Sequence, residues 1–224
     1  MNVLKKVIFA LILLGGSNIC FAQEISIRGG FNLSQMQDKF NGEIVSDNPK
    51  LKPGFSIGPV IGLPIYSFLS LETGLIYSTK GLLNKGLRGP NETKYSWSLN
   101  VAYLEVPFQL RASLPLKKLS IFGTAGAYIA SGLFGSVLER ENIANNLGVW
   151  HKVDWNGEGV SIKRFDYGLD FGFGAKLKYA EVGICYQIGV ANLTQFETLS
   201  SLHNRYLELY LTYNLWKKNR KTNT

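Results

Sequence analysis

The chain has 224 residues, of which 46% are hydrophobic, 18% are charged and 24 are glycine, with a formal net charge of +8. That length suits one substantial domain, and abundant glycine and aromatics with few charges favour an all-β chain with many turns. Beyond the N-terminal run no stretch approaches 18 consecutive apolar residues, which excludes a transmembrane helix, and a single remaining cysteine, Cys185, excludes an internal disulfide.

The first element is an export signal. Lys5 and Lys6 precede an unbroken apolar run, Val7 to Leu14, and Cys20-Phe21-Ala22 offers small residues around a cut. Cleavage after Ala22 makes residues 1–22 a signal peptide, residues 23–216 the domain and residues 217–224 a basic tail. The alternative of a lipoprotein acylated at Cys20 is disfavoured by the bulk of Ile19. Losing Lys5 and Lys6 lowers the charge from +8 to +6. Lys217, Lys218, Arg220 and Lys221 of the tail supply part of that remainder and read as a solvated end. An exported protein rarely meets nucleic acid, and none is expected as a partner.

Period-two alternation then recurs eight times, near 24–33, 53–63, 69–80, 97–112, 119–131, 164–178, 181–191 and 205–216. The connections alternate in length. Those at 64–68, 113–118 and 179–180 are tight, whereas 34–52, 81–96, 132–163 and 192–204 are long and polar. Two of the long segments carry the hairpin-forming pairs Asn41-Gly42 and Asn156-Gly157, where ribbons are expected to continue past a membrane.

Parity separates the two faces of each strand. Ile25, Ile27, Phe31 and Leu33 oppose Ser26, Arg28, Gly30 and Asn32; Leu207, Leu209, Leu211 and Tyr213 oppose Tyr206, Glu208, Tyr210 and Thr212. The 119–131 strand does not separate cleanly. A soluble lipocalin-like barrel would also alternate, with its apolar face inside. Glycine decides the matter: the polar face carries Gly168, Gly172, Gly174, Gly183 and Gly189, and strand glycine marks close approach, which a cramped interior needs and a wetted exterior does not. The expected architecture is therefore an eight-stranded antiparallel up-and-down transmembrane β-barrel with a polar, salt-bridged lumen. Its short turns and both termini would lie in the periplasm of a Gram-negative bacterium.

The segments "IRGGFNLS" (27–34), "YLEVPFQLR" (103–111), "FDYGLDFGFGAKL" (165–177), "YQIGVANL" (186–193) and "NRYLELYLTYNL" (204–215) together resemble the PorT-like outer-membrane β-barrel family of Bacteroidetes. The resemblance spans essentially the whole mature chain, with the 103–111 motif the most specific. It implies an outer-membrane barrel, in a family mostly of unassigned role whose namesake is associated with protein secretion and surface export. One departure is the end of the chain: many such barrels stop on an aromatic residue, whereas Trp216 is followed by eight more.

Residues able to do chemistry are few. Arg28, Glu72, Glu105, Arg111, Asp170, Lys176 and Glu208 fall on the lumen face and are expected to pair across it, since buried charges persist chiefly when paired. The 132–163 loop, with Trp150, His151 and Trp155, exceeds what a connection requires and is the candidate partner-binding loop. Neither histidine lies in a ligand-spaced pair, and Asp154, Asn156 and Glu158 lack the later ligands of a calcium loop, so no metal or cofactor is expected. The sequence thus favours a non-enzymatic envelope protein, structural or interacting, with a secretion or surface-export assembly as one version. Its expected partners are outer-membrane lipid, the barrel-assembly machinery and an envelope protein at the loops. The alternatives are a lipid A or phospholipid acyl hydrolase using Ser201 and His203, with Glu197 orienting the histidine, and a soluble periplasmic ligand-binding barrel.

Overall fold

The structure of the protein, a computed structural model, describes residues 24–40, 43–44, 50–88, 94–141, 148–155, 162–195 and 200–217. The signal segment, both Asn-Gly pairs, Glu158, Glu197 and the tail beyond residue 217 lie outside the described residues. Eleven strands form one antiparallel sheet: β1 (Glu24–Phe40), β2 (Glu43–Ile44), β3 (Lys52–Pro64), β4 (Leu69–Gly74), β5 (Ile76–Arg88), β6 (Lys94–Pro115), β7 (Ser120–Glu141), β8 (Val149–Lys152), β9 (Phe165–Lys176), β10 (Ala180–Gly189) and β11 (Ser200–Lys217).

Ten of these strands follow one path, β2-β1-β11-β10-β9-β7-β6-β4-β3-β5, with β8 branching from β7 and further ladders joining β1 to β3 and β6 to β5. This corrects the expected eight-stranded up-and-down barrel. Two of the extra strands are short ribbons within segments read as loops: β2 folds back on Lys39 and Phe40, and β8 on Ser136–Glu139. The third comes from a split in the 69–80 strand. Leu75 faces Pro59, and proline has no N–H to return to the ladder. The pair is held by the single Leu75 N–H to Pro59 carbonyl bond of 3.0 Å, and β4 ends there while β5 begins.

The β6 and β7 strands each have 22 residues, roughly 70 Å at the usual rise per residue, where about ten residues cross a bilayer. Half of this hairpin therefore exceeds what a bilayer crossing would need. Its register slips between Ala102 and Tyr103, with Leu133 bulged out of β7. That bulge reverses the parity of β7: Phe122, Thr124, Tyr128 and Ala130 are buried before it and Val137 after it.

One face of the sheet is exposed and apolar. Phe31, Ile57, Phe108, Leu110, Phe171, Phe173, Leu209 and Leu211 are all solvent-accessible, while the alternate residues are buried. This arrangement opposes the soluble lipocalin-like reading, which requires the apolar face inside. The buried face is not uniformly polar, which is a second correction to the expected lumen. Toward the long connections Met36, Leu82, Leu99, Val101, Val137, Val153, Ile162 and Leu193 pack into an apolar cluster, joined by Trp97, Trp155 and Leu202. Toward the short turns lie buried charges, together with Phe122, Cys185 and Tyr210.

Candidate functional site

Two groups of buried charge lie on the inner face. The first begins on β1, where Arg28 donates to Glu72 of β4 at 2.5 Å. The second Glu72 oxygen accepts from Arg111 of β6 at 3.0 Å, and the same guanidinium nitrogen reaches Glu181 of β10 at 2.7 Å. Lys176 of β9 pairs with Glu181 at 2.9 Å and with Glu24 of β1. Signs alternate along the six residues, so the chain is neutral. Each carboxylate between two cations uses both oxygens, which is the condition under which burial of charge is tolerated. The planar guanidinium groups also stack on aromatics, Arg28 over Tyr210 at 4.2 Å and Arg111 over Phe122 at 3.7 Å. A cavity of about 370 Å³ opens on this chain at the short-turn end, lined by Glu24, Glu72, Arg111, Lys176 and Glu181 among others.

The second group surrounds Lys80, whose side chain is wholly buried. Its ammonium pairs with Glu105 at 2.8 Å and lies 3.9 Å from Asp166. It donates to Gln187 at 2.8 Å, and the Gln187 amide in turn donates to Glu105. Three tyrosine rings enclose the ammonium: Tyr128 at 4.3 Å, Tyr206 at 4.9 Å and Tyr103 at 5.7 Å. Tyr128 and Asn204 both donate to Asp166, at 3.1 and 2.8 Å.

Of the seven charges assigned to the inner face, all but Lys176 are buried, and Lys176 is half-buried at the rim. Arg28, Glu72, Arg111 and Lys176 fall in one group, bridged by Glu181, and Glu105 falls in the other. Asp170 and Glu208 join none of the ion pairs found among the described residues; Glu208 accepts from the Ser56 hydroxyl instead. Sequence reasoning missed Glu24, Lys80, Asp166 and Glu181. Parity would have found them: Asp166 shares the face of Asp170, Glu181 that of Cys185, and Glu24 that of Arg28. All four fall within the expected strands 24–33, 69–80, 164–178 and 181–191, Lys80 at the even parity it shares with Glu72. The tyrosine cage had no sequence signal, because its rings come from β6, β7 and β11.

The loop residues separate. Trp150 is 66% exposed, and every residue of β8 is exposed. His151 lies beside Glu139 at 4.0 Å. Trp155 does not join them. It packs over Gly132 and against the apolar cluster.

The hydrolase geometry does not form among the described residues. Ser201 and His203 lie on β11, facing Lys39 and Gln37, and the His203 Nδ1 is bonded to the Ala191 carbonyl at 2.9 Å. Among the described residues no group of three or more His, Cys, Asp or Glu is placed to hold a metal ion.

The chain is similar to several known barrels. The attachment invasion locus protein Ail of Yersinia pestis covers 86% of this chain and 99% of its own at 15% identity, with a TM-score of 0.35. OprG of Pseudomonas aeruginosa covers 87% and 97% at 11% identity, with a TM-score of 0.49. Neisserial surface protein A covers 84% and 96% at 9% identity, with a TM-score of 0.37. A search of the curated proteins finds no match. The family model described as "Outer membrane protein beta-barrel domain" matches residues 21–195. With that match over most of its length, an apolar exterior and a charged interior, the chain belongs to the outer membrane protein beta-barrel domain family and is an outer-membrane β-barrel protein of a Gram-negative bacterium.

Proposed function

We propose that this barrel is non-enzymatic and serves as a rigid scaffold that presents the β7–β8 ribbon to a protein partner in the envelope or at the cell surface. The carrying observation is that all four residues of β8, Val149 to Lys152, are exposed. A strand packed on the body of the protein would hide alternate residues; this one hides none, and it holds an indole outward at the end of a long rigid hairpin. A role without catalysis is supported by the engagement of His203 with a backbone carbonyl rather than with Ser201. Lipid and the machinery that inserts outer-membrane barrels are its general partners.

A place in a secretion or surface-export assembly is the finer proposal, and it rests on the resemblance of segments such as "YLEVPFQLR" on β6 to PorT-like barrels. In the same reading residues 1–22 are removed on export, and the short turns, the termini and the 217–224 tail face the periplasm.

The test replaces Trp150 and His151 together by alanine and cross-links intact cells. The expected result is loss of a cross-linked protein partner with unchanged abundance and unchanged migration of the unboiled barrel on a gel. A cross-link pattern identical to that of the unaltered protein would overturn the assignment of the ribbon.

A further inference from the structure

The exterior of the sheet is not evenly covered by large side chains. Across β6, β7 and β9 the ladder aligns Ala112, Gly123 and Phe173 in one row, Leu110, Ala125 and Phe171 in the next, and Phe108, Ala127 and Leu169 in the third. The middle strand thus supplies only Gly123, Ala125 and Ala127 between rows of aromatics and leucines. At the short-turn end this depression becomes an open groove of about 660 Å³, with Phe68, Leu114, Ile121 and Phe173 as its walls. Ala112 and Gly123 form the floor, and Phe68 is fixed in place by the Ser113 N–H to Phe68 carbonyl bond of 2.7 Å.

The rim of the groove is cationic. Its walls end in two tight turns, one closed by Leu116 N–H to Leu119 carbonyl and the other by Leu177 N–H to Ala180 carbonyl, both at 2.7 Å. The first turn carries Lys117 and Lys118 and the second Lys178, all exposed and with no acidic residue beside them in either turn. The third short turn, Ile65 to Phe68, carries no charge. Of the three short turns, the one that lends Phe68 to the groove is uncharged, and the lysines stand on the other two, at the ends of β6–β7 and β9. A slot of this size on a bilayer-facing surface accepts a hydrocarbon chain, and three ammonium groups at its mouth lie at headgroup depth.

We infer that this groove binds an anionic phospholipid of the leaflet at the short-turn end, one acyl chain lying on Gly123 and Ala125 and the phosphate held by Lys117, Lys118 and Lys178. The site rests on the outer-membrane reading of the chain and is independent of the partner ribbon.

Native mass spectrometry of the full-length barrel, purified from membranes in mild detergent, tests it with dioleoyl phosphatidylglycerol and dioleoyl phosphatidylethanolamine as probes. One phosphatidylglycerol should be retained in preference by about tenfold or more, each juxtamembrane lysine supplying about a fivefold gain at most. Replacing the three lysines by glutamine should remove the preference and leave weak, headgroup-independent retention. Gly123→Leu and Ala125→Leu should abolish retention of both lipids. A Cβ at Gly123 meets nothing nearer than the Gly172 carbonyl at 3.9 Å, so the first filling variant still folds. Equal retention of the two lipids by the unaltered protein, or undiminished retention by both filled variants, would overturn the site. A fast-migrating unboiled band in each sample separates those results from failure of the barrel itself.

Discussion

At the scale of single residues, Glu72 is the acid on which the largest number of buried cations depend. Its two oxygens hold Arg28 and Arg111, so among the described residues Glu72→Gln removes the one ion pair of Arg28 and leaves Arg111 with Glu181 alone. Breaking a buried pair from one side costs about 3–5 kcal/mol. The expected outcome is a marked fall in the temperature at which the unboiled band is lost. Lys176→Gln, whose side chain is 15% exposed at the rim, should lower that temperature less. A comparable fall for both would show that the charges contribute through packing alone. Glycine gives a second contrast. A Cβ at Gly168 would run into the Ile188 carbonyl, so Gly168→Ala should destabilise by about 1–3 kcal/mol. At exposed Gly123 the same change should stay within about 0.5 kcal/mol. These glycines explain the alternation of the 165–177 segment: the bare positions on the inner face are where neighbouring strands and side chains approach.

At the scale of elements, the structure divides what the sequence presents as one loop. Residues 132–163 contain the far half of β7, the exposed strand β8, and Val153, Trp155 and Ile162 packed inside. Trp155→Ala should therefore lower barrel stability by about 2 kcal/mol, whereas Trp150→Ala should leave it unchanged, as read by unfolding in denaturant. Equal effects would mean the two tryptophans share one environment. Strand positions and facing were legible in the sequence because alternation is strict wherever one side meets lipid and the other a crowded interior. The 119–131 segment escaped because β7 mixes large and small residues on both faces, with Gly123, Ala125 and Ala127 between Ile121 and Ile129 outside and Phe122 and Tyr128 inside. The count of strands escaped for a different reason. The break at Leu75 depends on its facing Pro59, a fact of register rather than of spacing. The distal apolar cluster escaped because its members, Leu99, Val137, Val153 and Leu193, come from separate segments that only the ladders bring together.

At the scale of the whole molecule, the interior is filled rather than hollow. Lys80, Asp166 and Asp170 have essentially no exposure, and Leu99, Val101 and Val137 seal the end beyond them. The cavity of about 370 Å³ reaches in from the short-turn end only as far as the ion-paired chain around Glu72 and Arg111. Reconstituted in a planar bilayer, the protein should show no stepwise conductance; regular ion-conducting steps would mean that the packed interior opens in lipid. The central claim is simpler, that the exposed apolar face meets a bilayer. Membrane fractionation combined with boiled and unboiled detergent samples run side by side tests it most directly. Recovery in the outer membrane with a faster-migrating unboiled band is the result this account predicts, and recovery as a soluble periplasmic protein with no change on boiling would contradict it.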